Sequence, residues 1–209
     1  MRVLNGHFSQ IYALAFDGRR IATGSLDTTV RIWEASTGRC VAVLTGHTSL
    51  VGHLQMRDQI LVTGGSDGSI RVWNLARYKC VHRIAAHDNS VTSLQFDEKR
   101  ILSGGSDGRV KVWDINTGTW IRDLCSKSTA VWRVGFESDK AVILASRANR
   151  MSMEVISFSP IIQTPTTLGF RVISESTTEP STIQAIEEAA SYYRDPMEDS
   201  TRTLLEMTD

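Results

Sequence analysis

A strict forty-residue period runs through residues 1–124. His7, His47 and His87 repeat in register, as do Thr23, Thr63 and Ser103, then Asp27, Asp67 and Asp107, then Trp33, Trp73 and Trp113. Apolar positions keep step: Ile11, Val51 and Val91; Leu14, Leu54 and Leu94; Phe16, Met56 and Phe96. A period of this length means stacked copies of one supersecondary unit, each too small to bury its own apolar face and therefore dependent on its neighbours. That requirement excludes a single-core enzyme fold before any composition is considered.

Within each copy the pattern reads as four short strands. In the first copy these are Ile11–Phe16, Arg20–Ser25, Thr29–Glu34 and Arg39–Leu44. Val30 and Ile32 alternate with Thr29 and Arg31, the two-residue period of a pleated strand. Asp27-Thr28, Asp67-Gly68 and Asp107-Gly108 mark a turn between the second and third strands. Four strands every forty residues is the spacing of a β-propeller blade. The expected fold is all-β, with full blades at 5–44, 45–84 and 85–124 and a degenerate one at 125–159. In the last, Val131 and Phe136 stay in register, Lys127 replaces the histidine, and no Asp or Trp follows. Residues Arg147–Met153 read as a small insertion and Val155–Phe158 as the third strand.

Histidine, aspartate and hydroxyl are the ingredients of a nucleophilic triad. Three copies at one offset from a tryptophan argue instead for a repeated structural network. In it Asp accepts from His, His bonds the Ser or Thr hydroxyl, and the hydroxyl accepts from the indole N–H. No catalytic residues are expected. The GGSDG runs at 64–68 and 104–108 lack the lysine and following helix of a phosphate loop and read as turns. Cys40, Cys80 and Cys125 are too few and too far apart for a disulfide framework or a CxxC metal site. No metal or other cofactor is expected.

Gly6-His7…Trp33-Glu34, Gly46-His47…Trp73-Asn74 and Ala86-His87…Trp113-Asp114 resemble the WD-repeat family over about residues 1–159. Ser25-Leu26-Asp27, and Val131-Trp132-Arg133 in a degenerate last blade, carry a narrower resemblance to the C-terminal half of the propeller in F-box/WD-repeat proteins, the substrate receptors of SCF-type ubiquitin ligases. That resemblance implies a top face that binds phosphorylated degron peptides. Tyr12, Leu26, Trp132 and Arg147 match its groove positions, with Arg147 as the cation for phosphate. Gly52, Thr92, Ser66 and Ser106 hold the corresponding places on the blades between, and none is cationic. The chain contains no F-box, through which that family docks on the ligase core. The alternative is a generic WD-repeat scaffold without a phosphopeptide role.

Met1–Leu4 aligns with Val41–Leu44, the fourth strand of a blade, so the chain reads as beginning inside a strand. Four blades are expected to form an open arc, a partial propeller, with apolar flanks that invite self-association. Residues 160–209 differ in kind. They hold all four prolines and nine acids against three bases, which leaves a body of net charge +6 and a tail of −6. The tail is expected to be mostly disordered, with one short helix at Thr182–Tyr193 capped by Ser181 and Gln184. The sequence lacks both an apolar run of spanning length and a secretory h-region. The expected setting is cytoplasmic or nuclear, with protein partners and neither membrane nor nucleic acid.

Overall fold

Alternating apolar residues and Asx turns set the strands of each repeat, and a computed structural model shows how they assemble. It describes residues 3–148 and 150–158. The fifteen strands are β1 (Ile11–Phe16), β2 (Arg20–Ser25), β3 (Val30–Glu34), β4 (Cys40–Leu44), β5 (Val51–Arg57), β6 (Ile60–Gly65), β7 (Ser69–Asn74), β8 (Lys79–Ala85), β9 (Val91–Phe96), β10 (Arg100–Gly105), β11 (Val110–Asp114), β12 (Trp120–Asp123), β13 (Ala130–Glu137), β14 (Lys140–Arg147) and β15 (Arg150–Ser157). They form four antiparallel meanders, β1–β4, β5–β8, β9–β12 and β13–β15. Neighbouring sheets meet mainly through their first strands: β1 meets β5, β5 meets β9, and β9 meets β13. The result is an all-β open arc of four blades, fanned around the line along which those first strands converge.

The core lies between blades. Ala22, Val30 and Ile32 of blade 1 pack with Val51 and Leu61 of blade 2, and Leu102, Val110 and Val112 of blade 3 pack with Val131, Val134 and Phe136 of blade 4. Close approach is possible because Gly24, Gly64 and Gly104 stand at one register. A Cβ on Gly24 would lie 2.7 Å from the Val51 carbonyl, and one on Gly104 would lie 2.6 Å from a Val131 methyl. Two glutamines tie blades further. Gln55 Oε1 accepts the Phe96 N–H at 2.7 Å, and Gln95 Oε1 accepts that of Phe136 at 2.8 Å. Each amide continues the neighbouring strand's hydrogen bonding across the seam.

Blade 4 departs from its expected form. Its third strand begins at Arg150, inside the span read as an insertion, because β14 and β15 form one long hairpin paired from Lys140↔Ser157 to Arg147↔Arg150. Three added residues lengthen the hairpin, and Ala148 sits at φ 46° in its turn. At the other end Val3 and Leu4 belong to no strand. The expected helix at Thr182–Tyr193 and the disorder of the tail lie outside the described residues.

Candidate functional site

The three polar sets close in the same way. His7 Nδ1 lies 2.7 Å from Asp27 and Nε2 lies 2.7 Å from Thr23, whose hydroxyl accepts from Trp33 Nε1 at 2.9 Å. His47 meets Asp67 at 3.0 Å and Thr63 at 2.8 Å, with Trp73 Nε1 donating to Thr63 at 2.9 Å. His87 meets Asp107 at 3.0 Å and Ser103 at 2.9 Å, with Trp113 Nε1 donating to Ser103 at 2.9 Å. A carboxylate can only accept, so Nδ1 carries the hydrogen; Nε2 of the neutral ring then accepts from the hydroxyl, which in turn accepts from the indole. Burial pushes His47 and His87 below the ordinary histidine range, against the pull of Asp67 and Asp107, which keeps the neutral ring this chain of bonds needs. Burial alone would raise Asp67. The Thr48 N–H, the Ser69 hydroxyl and N–H, and His47 outweigh it and hold the carboxyl at about 2. Thr63 and Ser103 are fully enclosed. The networks join the strands of each blade.

The edge of the arc where first strands begin and second strands end carries the other candidates. Each first strand is bulged there, at Tyr12, Gly52, Thr92 and Trp132 in turn. A bulge leaves its residue outside the ladder and re-aims the side chain. Tyr12 is 47% exposed and Trp132 45%, while the Thr92 hydroxyl is taken up by the Val131 carbonyl at 2.7 Å. Leu26 is 45% exposed in the β2–β3 turn, and its N–H bonds the Gln10 carbonyl just before β1. Tyr12 and Leu26 thus share the rim of blade 1, and Trp132 and Arg147 that of blade 4. Two blades with small uncharged side chains at the matching positions lie between the pairs.

Arg147 occupies the repeat's aspartate position, yet its guanidinium is engaged within its own blade. It donates to the Ser126 hydroxyl at 2.7 Å and carbonyl at 2.9 Å, and its Nε lies 2.8 Å from Glu154. Ser126 stands in register with Gly46 and Ala86. Their carbonyls accept from Arg71 and Lys111 on the third strands of blades 2 and 3. Arg147 therefore supplies from β14 a tie that the other blades make from their third strand. In blade 4 that strand offers Glu154 instead.

Sequence reasoning passed over a second cation. Arg133 follows Trp132 on β13, is exposed, and makes no hydrogen bond or ion pair among the described residues. Two blades away along the converging first strands is His53. Burial, with Arg133 adding to it, pushes His53 down to about 4. Arg133 was visible as the cation at a register that otherwise reads Ala13, His53 and Ser93. Among the described residues no group of His, Cys, Asp and Glu is arranged to hold a metal. No helix there is long and apolar enough to cross a membrane.

Fold and networks define a repeat propeller with a bulged rim. The WD domain, G-beta repeat family matches residues 1–34, 38–74 and 78–114, and the chain belongs to it. Propellers of this family are generally non-catalytic scaffolds that bind other proteins. Among solved structures the computationally designed Ika4 protein is similar at 33% identity and a TM-score of 0.69, over 74% of this chain and 95% of that one. The computationally designed Ika8 protein is similar at 32% identity and a TM-score of 0.68, over 74% of this chain. The chain spans 48% of Ika8. Among curated proteins there is no significant match.

Proposed function

We propose that this protein-interaction module reads phosphorylated peptides on the Tyr12–Trp132 rim and serves as part of a substrate receptor for an SCF-type ubiquitin ligase, in the cytoplasm or nucleus. The ligase core would be reached through an F-box outside the 209 residues. The observation that carries the reading is the guanidinium of Arg133, which has no hydrogen bond or ion pair among the described residues and follows the exposed Trp132 on the line where the first strands converge. A phosphate there meets a cation and an aromatic face for the neighbouring peptide side chain. Arg147, already bonded to Ser126 and Glu154, holds the blade-4 rim in place.

Fluorescence anisotropy with a doubly phosphorylated Thr-Pro peptide and its unphosphorylated twin tests this. Phosphate-dependent binding that weakens with added salt is expected. Arg133→Ala and Trp132→Ala should each weaken it about tenfold, the loss of roughly 1.4 kcal/mol. Equal binding of the two peptides would overturn the phosphopeptide reading. The uncharged residues at Gly52, Thr92, Ser66 and Ser106 favour the second reading, a scaffold that grips its partner by shape. That reading expects Trp132→Ala to matter and Arg133→Ala to be silent.

A further inference from the structure

Two flanks of the arc expose apolar side chains that the same register buries or half-buries in the other blades. On blade 1, Leu14 is 67% exposed and Phe16 59%, whereas Phe96, Val134 and Phe136 at equivalent positions are buried under the preceding blade. On blade 4, Met153 is 69% exposed and Val155 57%. By strand register Met153 corresponds to Val30 and Val110, and Val155 to Ile32 and Val112, all buried under the following blade. The flanks are thus the two halves of the seam that already joins blades 1 to 2, 2 to 3 and 3 to 4.

Strands complement each other in the same sense. Among the described residues blade 4 has three strands, with β15 at the outer edge of its sheet. Residues 1–4 align with the fourth strands β4 and β8 and precede Gly6-His7 by the spacing at which Val41–Leu44 precedes Gly46-His47. In blade 1, Leu44 pairs with Val30 and Val43 with Arg31. The same register sets Leu4 against Met153 and Val3 against Glu154. Val3 is exposed and bound to no strand of its own blade.

We propose that a second copy of this chain occupies both flanks, head to tail. Leu14 and Phe16 of each copy cover Val142, Met153 and Val155 of the other, and Val3 and Leu4 of each extend the other's blade 4. Four blades cover nearly half of the Ika8 chain, so a fold with room for two such arcs exists. A head-to-tail contact closes when its rotation completes a ring, and two seams then hold one pair. The seam is not identical to the internal ones. Leu144 replaces the glycine of the repeat, while Gly135 replaces the bridging glutamine and opens a hollow beside Val142 and Leu144. Phe16, larger than the methionine of blade 2, faces that hollow.

Sedimentation of the full chain tests the pairing. A species of about 46 kDa is expected, twice the 23.2 kDa of one chain. Phe16→Asp and Met153→Asp alter exposed side chains and should each give a folded monomer by circular dichroism. Mixing the two variants should restore a weaker dimer, because one of its two seams is wild type. Val3→Pro should weaken the pair several-fold. Leu144→Gly should tighten it by restoring the internal seam's close approach. A variant that fails to fold is replaced by Leu14→Lys or Val155→Lys. A monomeric wild-type chain, as when its own tail covers a flank, would overturn the proposal. So would a dimer broken by only one of the two faces, an indefinite polymer, or variants that stay monomeric when mixed. Arg133 lines the same hollow, so peptide binding is read independently in the monomeric Phe16→Asp variant.

Discussion

Blade 3 and blade 4 are built on the same first strand and hold together by opposite means. Blade 3 buries a polar network: His87, Ser103, Asp107 and Trp113 bond in series inside its core. At the equivalent register blade 4 has Lys127, Ile143, Arg147 and Ile156. Ile143 is fully buried, Ile156 packs against the core cluster that holds it, and the charge has moved to the Arg147–Glu154 pair at the rim. A buried network fixes strand order through directional bonds but is costly when one member is lost. Apolar packing tolerates substitution and specifies less. The repeat therefore has its most mutation-sensitive points in blades 1–3 and its most adaptable surface in blade 4.

The largest expected difference lies at the tryptophan position. Trp113→Ala removes a large buried side chain and the indole N–H that the Ser103 hydroxyl accepts, at a cost of ~3–5 kcal/mol. Ile156→Ala at the matching place in blade 4, half-buried, should cost about 1–2 kcal/mol. Urea midpoints with equal slopes measure both. Equal losses would mean that the two blades do not differ in the way their cores suggest.

Acid should separate the blades next. His47, His53 and His87 all have folded-state values below the unfolded one, so the unfolded chain binds more protons as pH falls. The stability they contribute is complete above about pH 6.5 and declines below it, with His53 acting down to about 4. His53 alone accounts for up to about 3 kcal/mol. Asp67 acts in the same direction but lower, between its ordinary range and about 2. Blade 4 has no histidine. Hydrogen exchange at pH 7 and pH 5 should show blades 2 and 3 losing protection while β13–β15 change least. His53→Gln should flatten the slope of stability between those pH values, and an unchanged slope would remove His53 as its source.

Glycine and leucine at one register sharpen the comparison at smaller scale. Gly104→Ala drives a methyl into Val131 and should cost about 1–3 kcal/mol. Leu144→Ala, on the open flank, should cost less than about 1 kcal/mol in a monomeric background such as Phe16→Asp.

These contrasts were unequally legible in the sequence. The networks could be read because His, Thr or Ser, Asp and Trp recur at fixed offsets that strand pairing then brings together. Their register also set the blade boundaries. Gly24, Gly64 and Gly104, and Gln55 with Gln95, recur as plainly, but their meaning is a contact between blades that alternation along a strand does not reveal. Blade 4's third strand was obscured because three extra residues entered the hairpin itself and not a loop, leaving Val155–Phe158 as its only recognisable part. Arg147 was read as the cation for phosphate; its ties to Ser126 and Glu154 were not legible, because they form only when the hairpin folds back on the loop before β13.

The smallest effect bears on that residue. Asp107→Ala and Arg147→Ala change the same repeat position, and in each the lost side chain bonds groups near the rim. Asp107 accepts from His87, from the Asp88 N–H and from the Arg109 N–H, largely away from solvent. Its loss leaves a buried imidazole N–H unpartnered and should cost ~1–3 kcal/mol. The side chains of Arg147 and Glu154 are about 30% exposed, so water replaces much of what the ion pair supplies. Arg147→Ala should lower stability by less than about 1 kcal/mol and loosen the Ser126 segment, seen as faster exchange of the amides preceding β13. Arg147→Lys should recover part of this, since an ammonium can still reach the Ser126 carbonyl as Lys111 reaches that of Ala86. If Arg147→Ala left that segment's exchange unchanged and instead abolished phosphopeptide binding, Arg147 would be the phosphate's cation and Arg133 would not. Blade 4 would then differ from blade 3 by having turned its aspartate position outward into the recognition site.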